Sequence, residues 1–256
     1  MPTNPDEMTA NPDVVVIGPA DVRAVAGTSR PTVETVVEID GFALCRTRLD
    51  GASPWHHHGE RTAYGVVLDG RGRIEFGPDE AASVDVRPGE FFVVPPGAVH
   101  REVATDDGQV ALVGVAGEGP LVVDTARPRR RPSVRPRVAG DDDLVPAGTL
   151  QNVTRLTPFP DSPVQQVRGH ATGAVESSWH HHGDNHVFGY VVAGEGYVQW
   201  GTGPGERALV GTGEWFHLSP GVVHRDVNPS DADQHYLLWL VGSEPRTVPV
   251  DGPDGS

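Results

Sequence analysis

The chain writes one passage twice. Trp55–Arg101 and Trp179–Arg225 align without a gap at a constant offset of 124, and 19 of the 47 aligned positions are identical. SPWHHHGERTAYG, from Ser53 to Gly65, returns as SSWHHHGDNHVFG, from Ser177 to Gly189. Both copies are internal, so the histidines belong to a duplicated structural unit and are not a tag. A fixed offset over a whole domain core means internal duplication, which limits the fold before any other feature does. It predicts one domain over 14–124 and a second over 147–250, joined by 125–146. Residues 1–13 and 251–256 read as flexible tails.

Within each unit the pattern is that of strands. The 32 glycines and 24 prolines are spread along the chain, with short Val-rich runs between them. YGVVLDGRGRIEFG turns at LDGRG, and VDVRPGEFFVVPPGAVHREV carries a strand between two Gly/Pro turns. Short antiparallel strands with frequent turns predict an all-β chain of two tandem jelly-roll barrels. Two such barrels are expected to pack as a pseudo-dimer, as a monomer or within a homodimer.

Charge narrows the partners. The formal net charge is −15, and all 20 basic residues are arginine. An acidic surface repels nucleic acid and anionic membrane, so neither is expected as a partner. Six arginines fall in ARPRRRPSVRPRVAG, Ala126–Gly140, which reads as an extended Pro-rich connector pairing with acidic surfaces. No run of 18 apolar residues occurs, and the first residues show no secretory pattern. With Cys45 as the one cysteine, a buried filler, the expected location is cytoplasmic.

The histidine spacing carries chemistry. On a strand, i and i+2 share a face, so His56 and His58 converge, as do His180 and His182, while His57 and His181 point away. His100 and His224 each follow a P/S-P-G turn on a later strand, which a jelly roll can bring alongside. Three neutral imidazoles then cap a divalent ion and leave positions open for substrate. Glu102 and Asp226 share parity with His100 and His224. Each is a candidate to orient a ligand or to act as a base, the alternative being a rim salt bridge. His217, in place of Val93, is a candidate to line the second pocket, or else an ordinary hydrogen-bonded histidine like His170 and His235. Gly65 and Gly189 point inward by parity, which leaves room for a substrate or for close packing.

These residues resemble the two cupin motifs, and the chain resembles a bicupin. His56, His58 and Gly70, and again His180, His182 and Gly194, match G-x5-H-x-H-x3–4-E-x6-G. Gly89, Pro95, Gly97 and His100 match G-x5-P-x-G-x2-H-x3-N, as do Gly213, Gly221, His224 and Asn228, with Ser219 for the proline. The family's glutamate is missing: its position falls on Ala63 and Val187. His186 is an alternative fourth ligand if the spacer is three residues.

The resemblance implies a small-molecule substrate and a mononuclear Fe(II) dioxygenase, since cupins with three histidines and no carboxylate include such enzymes. Zinc, nickel, copper and manganese are the other ions considered. The alternatives are a non-redox isomerase, cyclase, lyase or decarboxylase and a non-catalytic binding protein. The polar residues His186, His217 and Asn228 make the second domain the expected catalytic one.

Overall fold

The computed structural model describes residues 14–24, 32–39, 41–79, 81–105, 108–148, 150–201, 206–244 and 246–253. The expected tail 1–13, and residues 254–256 of the other, lie outside the described residues. One 3-10 turn, Asp141–Asp143, interrupts an otherwise all-β chain among them. None of the helical structure is long and apolar enough to cross a membrane.

The chain divides into two compact units. One comprises Asp21–Leu144, and the other comprises Val145–Ser256 with Met1–Ala20. Each is a jelly roll with a seven-stranded sheet on one side and shorter sheets on the other. In the first unit the large sheet runs Arg137–Ala139, Phe91–Val94, Thr62–Asp69, Gln109–Ala116, Phe42–Leu49, Thr32–Ile39 and Arg23–Ala24. In the second it runs Val14–Ile17, Trp215–Leu218, His186–Ala193, Gln234–Val241, Val164–Ala171, Val153–Thr157 and Val145–Pro146.

Two strands sit where the 124-residue offset does not put them. The β-branched run Val14–Ile17, expected to open the first domain, pairs with Trp215–Leu218 at an edge of the second unit's sheet. The matching edge of the first unit is filled by Arg137–Ala139, from the segment read as a connector, which pairs with Phe91–Val94. The connector also clasps the first unit through its arginines. Arg127 donates to the Gly77 carbonyl and lies over the Trp55 ring, while Arg131 faces Asp79 at 3.6 Å.

Core packing follows strand alternation. In the first unit Ala63, Val67, Ile74, Phe92, Val94 and Ala111 are buried together. In the second, Val187, Val191, Val198, Phe216, Leu218 and Leu238 form the counterpart. Gly65 and Gly189 do point into these cores, yet they do not open a pocket. A β-carbon on Gly65 would lie 1.9 Å from the Phe92 ring, and one on Gly189 2.1 Å from Phe216. Each glycine is the direct cross-strand partner of that phenylalanine. The missing side chain makes room for an aromatic ring, and the close-packing reading replaces the substrate-pocket one.

Candidate metal centres and their surroundings

Both motif strands meet as a jelly roll allows. The His56 and His100 backbones exchange two hydrogen bonds of 2.9 Å, and His180 and His224 exchange bonds of 2.8 and 2.9 Å. The histidine after each turn is set by local chemistry. Gly97 and Gly221 have φ of 69° and 77°, with Pro96 and Pro220 before them and Ala98 N and Val222 N closing onto Pro95 O and Ser219 O. That is a Pro-Gly turn that needs positive φ at its third residue. The serine at 219 occupies its first position, where proline is not required.

His56, His58 and His100 form one group and His180, His182 and His224 another, with the donor nitrogens of each all within 4.8 Å of one another. All six side chains are buried. Their six Nδ1 atoms face backbone carbonyls: Pro54, Leu121 and Ala98 in the first unit, and Ser178, Arg246 and Val222 in the second, at 2.5–3.0 Å. A carbonyl only accepts, so each neutral ring carries its proton on Nδ1 and presents a bare Nε2 lone pair. Nε2 of His100 and of His180 is buried with no hydrogen-bond partner. Buried polar atoms are almost always satisfied, so in each triad one orphan lone pair, with two further imidazoles within 4.8 Å, fits a cation held by the three rings. Burial, aided by neighbouring imidazoles and, in the second unit, by Arg155, disfavours protonation of four of the rings. It lowers His58 to about 4, His182 to about 2, and His180 and His224 below their ordinary value as well.

Other expected site residues lie elsewhere. His57 and His181 turn outward, and their Nδ1 atoms accept from Gly59 N and Gly183 N. His186 is not in the triad group. It shares the strand face opposite Val187 and pairs with His217, Nδ1 to Nε2 at 2.9 Å, beside the Phe188 ring. Neither His186 as a ligand nor His217 as a pocket wall is what this geometry provides, because strand parity turns both away from the barrel interior. His170 stacks on His235 and faces Asp233 at 3.1 Å, a partly exposed cluster apart from the triads. Glu102 reaches the first triad: its Oε1 lies 3.2 Å from His100 Nε2 and 3.8 Å from His56 Nε2. Ser53 Oγ donates to its other carboxylate oxygen, Oε2, at 2.7 Å. Asp226 instead lines a small cavity with Tyr236 and Gln234.

The second unit also holds polar residues that the motif comparison passed over. Arg155 is 4% exposed, and its charge disfavours protonation of His180 and His182. Its guanidinium donates to Thr247 Oγ1 at 3.0 Å, its Nε has no partner, and among the described residues no carboxylate forms an ion pair with it. In one cross-strand row Arg155 faces Gly169, Gly169 faces Tyr236, and Tyr236 faces Val191. The Tyr236 ring fills the space above Gly169, and its buried hydroxyl has no partner. Burial, reinforced by the Asp226 charge, pushes the Tyr236 phenol above its ordinary value, so it stays protonated. The equivalent row of the first unit is Val33, Thr47, Ala111 and Val67.

Comparison with known proteins agrees with this architecture. A sequence profile described as the Cupin domain matches residues 46–116 and 170–241, together more than half of the chain. No curated protein matches it in sequence. Among solved structures, Lactobacillus farciminis oxalate decarboxylase in a formate complex is similar at a TM-score of 0.70 and 13% identity, over 95% of this chain and 90% of that one. Bacillus subtilis oxalate decarboxylase at pH 4.6 is similar at a TM-score of 0.69 and 12% identity, over 95% and 79%. A further structure of the Bacillus subtilis enzyme, similar at the same score and identity over 95% and 80%, concerns its Mn(II) centres. At these identities the likeness is one of fold. The profile covers both halves of the duplication, each half folds as a jelly roll, and the chain belongs to the cupin family as a bicupin.

Proposed function

We propose that this bicupin is a metal-dependent enzyme that binds a small carboxylate substrate in its second unit and decarboxylates it there. The observation that carries the reading is Arg155. A buried guanidinium without a counter-ion costs several kcal/mol, and a bound carboxylate would remove that cost through paired charge-assisted hydrogen bonds. The three imidazoles of His180, His182 and His224 would hold a divalent ion, whose contribution is Lewis acidity toward the substrate oxygens. Manganese is the first candidate, given the Mn(II) centres of a protein of similar fold.

The rest is done by the chain. The Ser178, Arg246 and Val222 carbonyls fix the imidazole tautomers. Arg155 orients the substrate carboxylate, with Thr247 bridging Arg155 toward His182. Tyr236, buried beside Asp226, keeps its proton. When a C–C bond breaks and CO2 leaves, the carbon retains the electron pair, and Tyr236 is the group in this row able to protonate it.

One observation favours a second reading. Among the described residues no carboxylate joins the second triad, the donor set of the Fe(II) dioxygenases to which the motifs point. The test is Mn(II)- and Fe(II)-reconstituted protein with a panel of small carboxylates, oxalate first, while CO2 release and O2 uptake are followed together. CO2 released without stoichiometric O2 consumption supports decarboxylation. Stoichiometric O2 consumption with oxygenated product supports the second reading and contradicts the first.

A further inference from the structure

We propose that Glu102 replaces the missing motif glutamate and makes the first unit a three-histidine, one-carboxylate metal site, chemically distinct from the second. The inference rests on metal binding at the first triad, and beyond that on geometry local to Glu102. His100 donates its Nδ1 proton to the Ala98 carbonyl, so its Nε2 is a lone pair. Glu102 Oε1, also a lone-pair atom, faces it at 3.2 Å, and the nitrogen has no hydrogen-bond partner. Two acceptors held this close repel unless a proton or a metal ion lies between them, and a shared proton would make a hydrogen bond that this geometry does not form.

The spacing suits an ion. Two donors each about 2.1 Å from one metal are about 3.0 Å apart at a right angle and about 3.4 Å apart at a tetrahedral one. Oε1 stands 3.2 and 3.8 Å from the Nε2 atoms of His100 and His56. It falls outside the 4.8 Å grouping that unites the three histidines, so His58 is its more distant neighbour. The carboxylate is also fixed from behind. Ser53 Oγ donates to Glu102 Oε2 at 2.7 Å and accepts from Glu102 N at 3.0 Å, which leaves Oε1 for the triad.

The second unit repeats the scaffold without the ligand. Ser177 Oγ accepts from Asp226 N at 2.9 Å, as Ser53 does from Glu102, but it donates to the Ser178 carbonyl instead of to the carboxylate. Asp226, one methylene shorter, lines the cavity beside Tyr236. The polar surroundings of the two triads therefore differ: Glu102 faces the first directly, while Arg155 and Asp226 both act on the second. An oxygen ligand and a negative charge favour a hard divalent ion such as Mn(II) at the first site. A nearby guanidinium weakens cation binding at the second until an anion joins it.

The experiment follows free Mn(II) by EPR during titration of His182→Ala protein, which leaves the first site, and of the His182→Ala/Glu102→Gln chain. Circular dichroism checks folding of both. The expected result is a dissociation constant raised at least tenfold by Glu102→Gln, while the His58→Ala chain, which leaves the second site, also binds at least tenfold more weakly than His182→Ala. Mn(II) binding to the first site that changes less than threefold on Glu102→Gln overturns this inference alone. An absence of Mn(II) binding in both single variants and in the wild type overturns it together with the metal reading. If the double variant does not fold, the infrared difference between metal-free and Mn(II)-loaded His182→Ala protein decides. A shifted carboxylate stretch supports ligation, and unshifted bands overturn it.

Discussion

A histidine triad is legible in a sequence when strand parity supplies it. His56 with His58, and His180 with His182, needed only the period of two, and the turn before His100 and His224 supplied the third ring. Arg155 and Tyr236 were hidden for a definable reason. The aligned block keeps the offset of 124, but Phe42–Leu49 corresponds to Val164–Ala171 at 122 and Gln109–Ala116 to Gln234–Val241 at 125. Arg155 therefore answers Val33 and Tyr236 answers Ala111, correspondences visible only with gaps. Two predictions belong at this scale. Arg155→Met should raise the thermal midpoint of the metal-free protein, by about 1–2 kcal/mol of stability, because an apolar residue replaces an unpaired buried charge. The same variant should lose carboxylate turnover at least tenfold, with Arg155→Lys a poor substitute because it lacks the planar fork. A lowered midpoint would mean that Arg155 is structural.

The second residue-scale prediction concerns acid. His58 titrates near 4 in the folded chain, against about 6.5 for an ordinary histidine. A lowered folded value means that the unfolded chain binds the proton first as pH falls. The stability is thus present above about pH 6.5 and is lost progressively between there and about 4, on the order of 3 kcal/mol for this group. Denaturant midpoints of the metal-free protein measured from pH 7.5 to 4.5 should decline with that sign. A midpoint that rises on acidification would contradict neutral, buried rings.

At the scale of elements, the strands and turns were readable from Gly, Pro and Val spacing, while partner choice was not. Nothing in VVVI says that Val14–Ile17 joins the second unit's sheet, because any β-branched run satisfies an open edge. The inward glycines show the same limit. Parity located Gly65 and Gly189, but only cross-strand register reveals that Phe92 and Phe216 fill their space. Gly65→Ala and Gly189→Ala should each destabilise by about 1–3 kcal/mol through overpacking. Chemical denaturation reads this directly, and an unchanged midpoint would mean that the rings move aside freely.

For the whole molecule, duplication followed by divergence is the organising fact. Both units keep the triad and the carbonyls behind it, and the repeated Trp and Arg stack alike, Arg101 over Trp55 and Arg225 over Trp179 at 5.0 Å each. They differ in what lies near the three histidines: Glu102 in the first, Arg155 and Asp226 in the second. Metal content of the purified, untagged chain tests this most directly, with His58→Ala and His182→Ala as a matched pair and turnover assayed alongside. Up to two divalent ions are expected per wild-type chain, with one site lost in each variant, activity abolished by His182→Ala and activity retained in part by His58→Ala. A wild-type chain that holds no transition metal after anaerobic reconstitution, or turnover that survives His182→Ala and disappears in His58→Ala, would contradict this expectation.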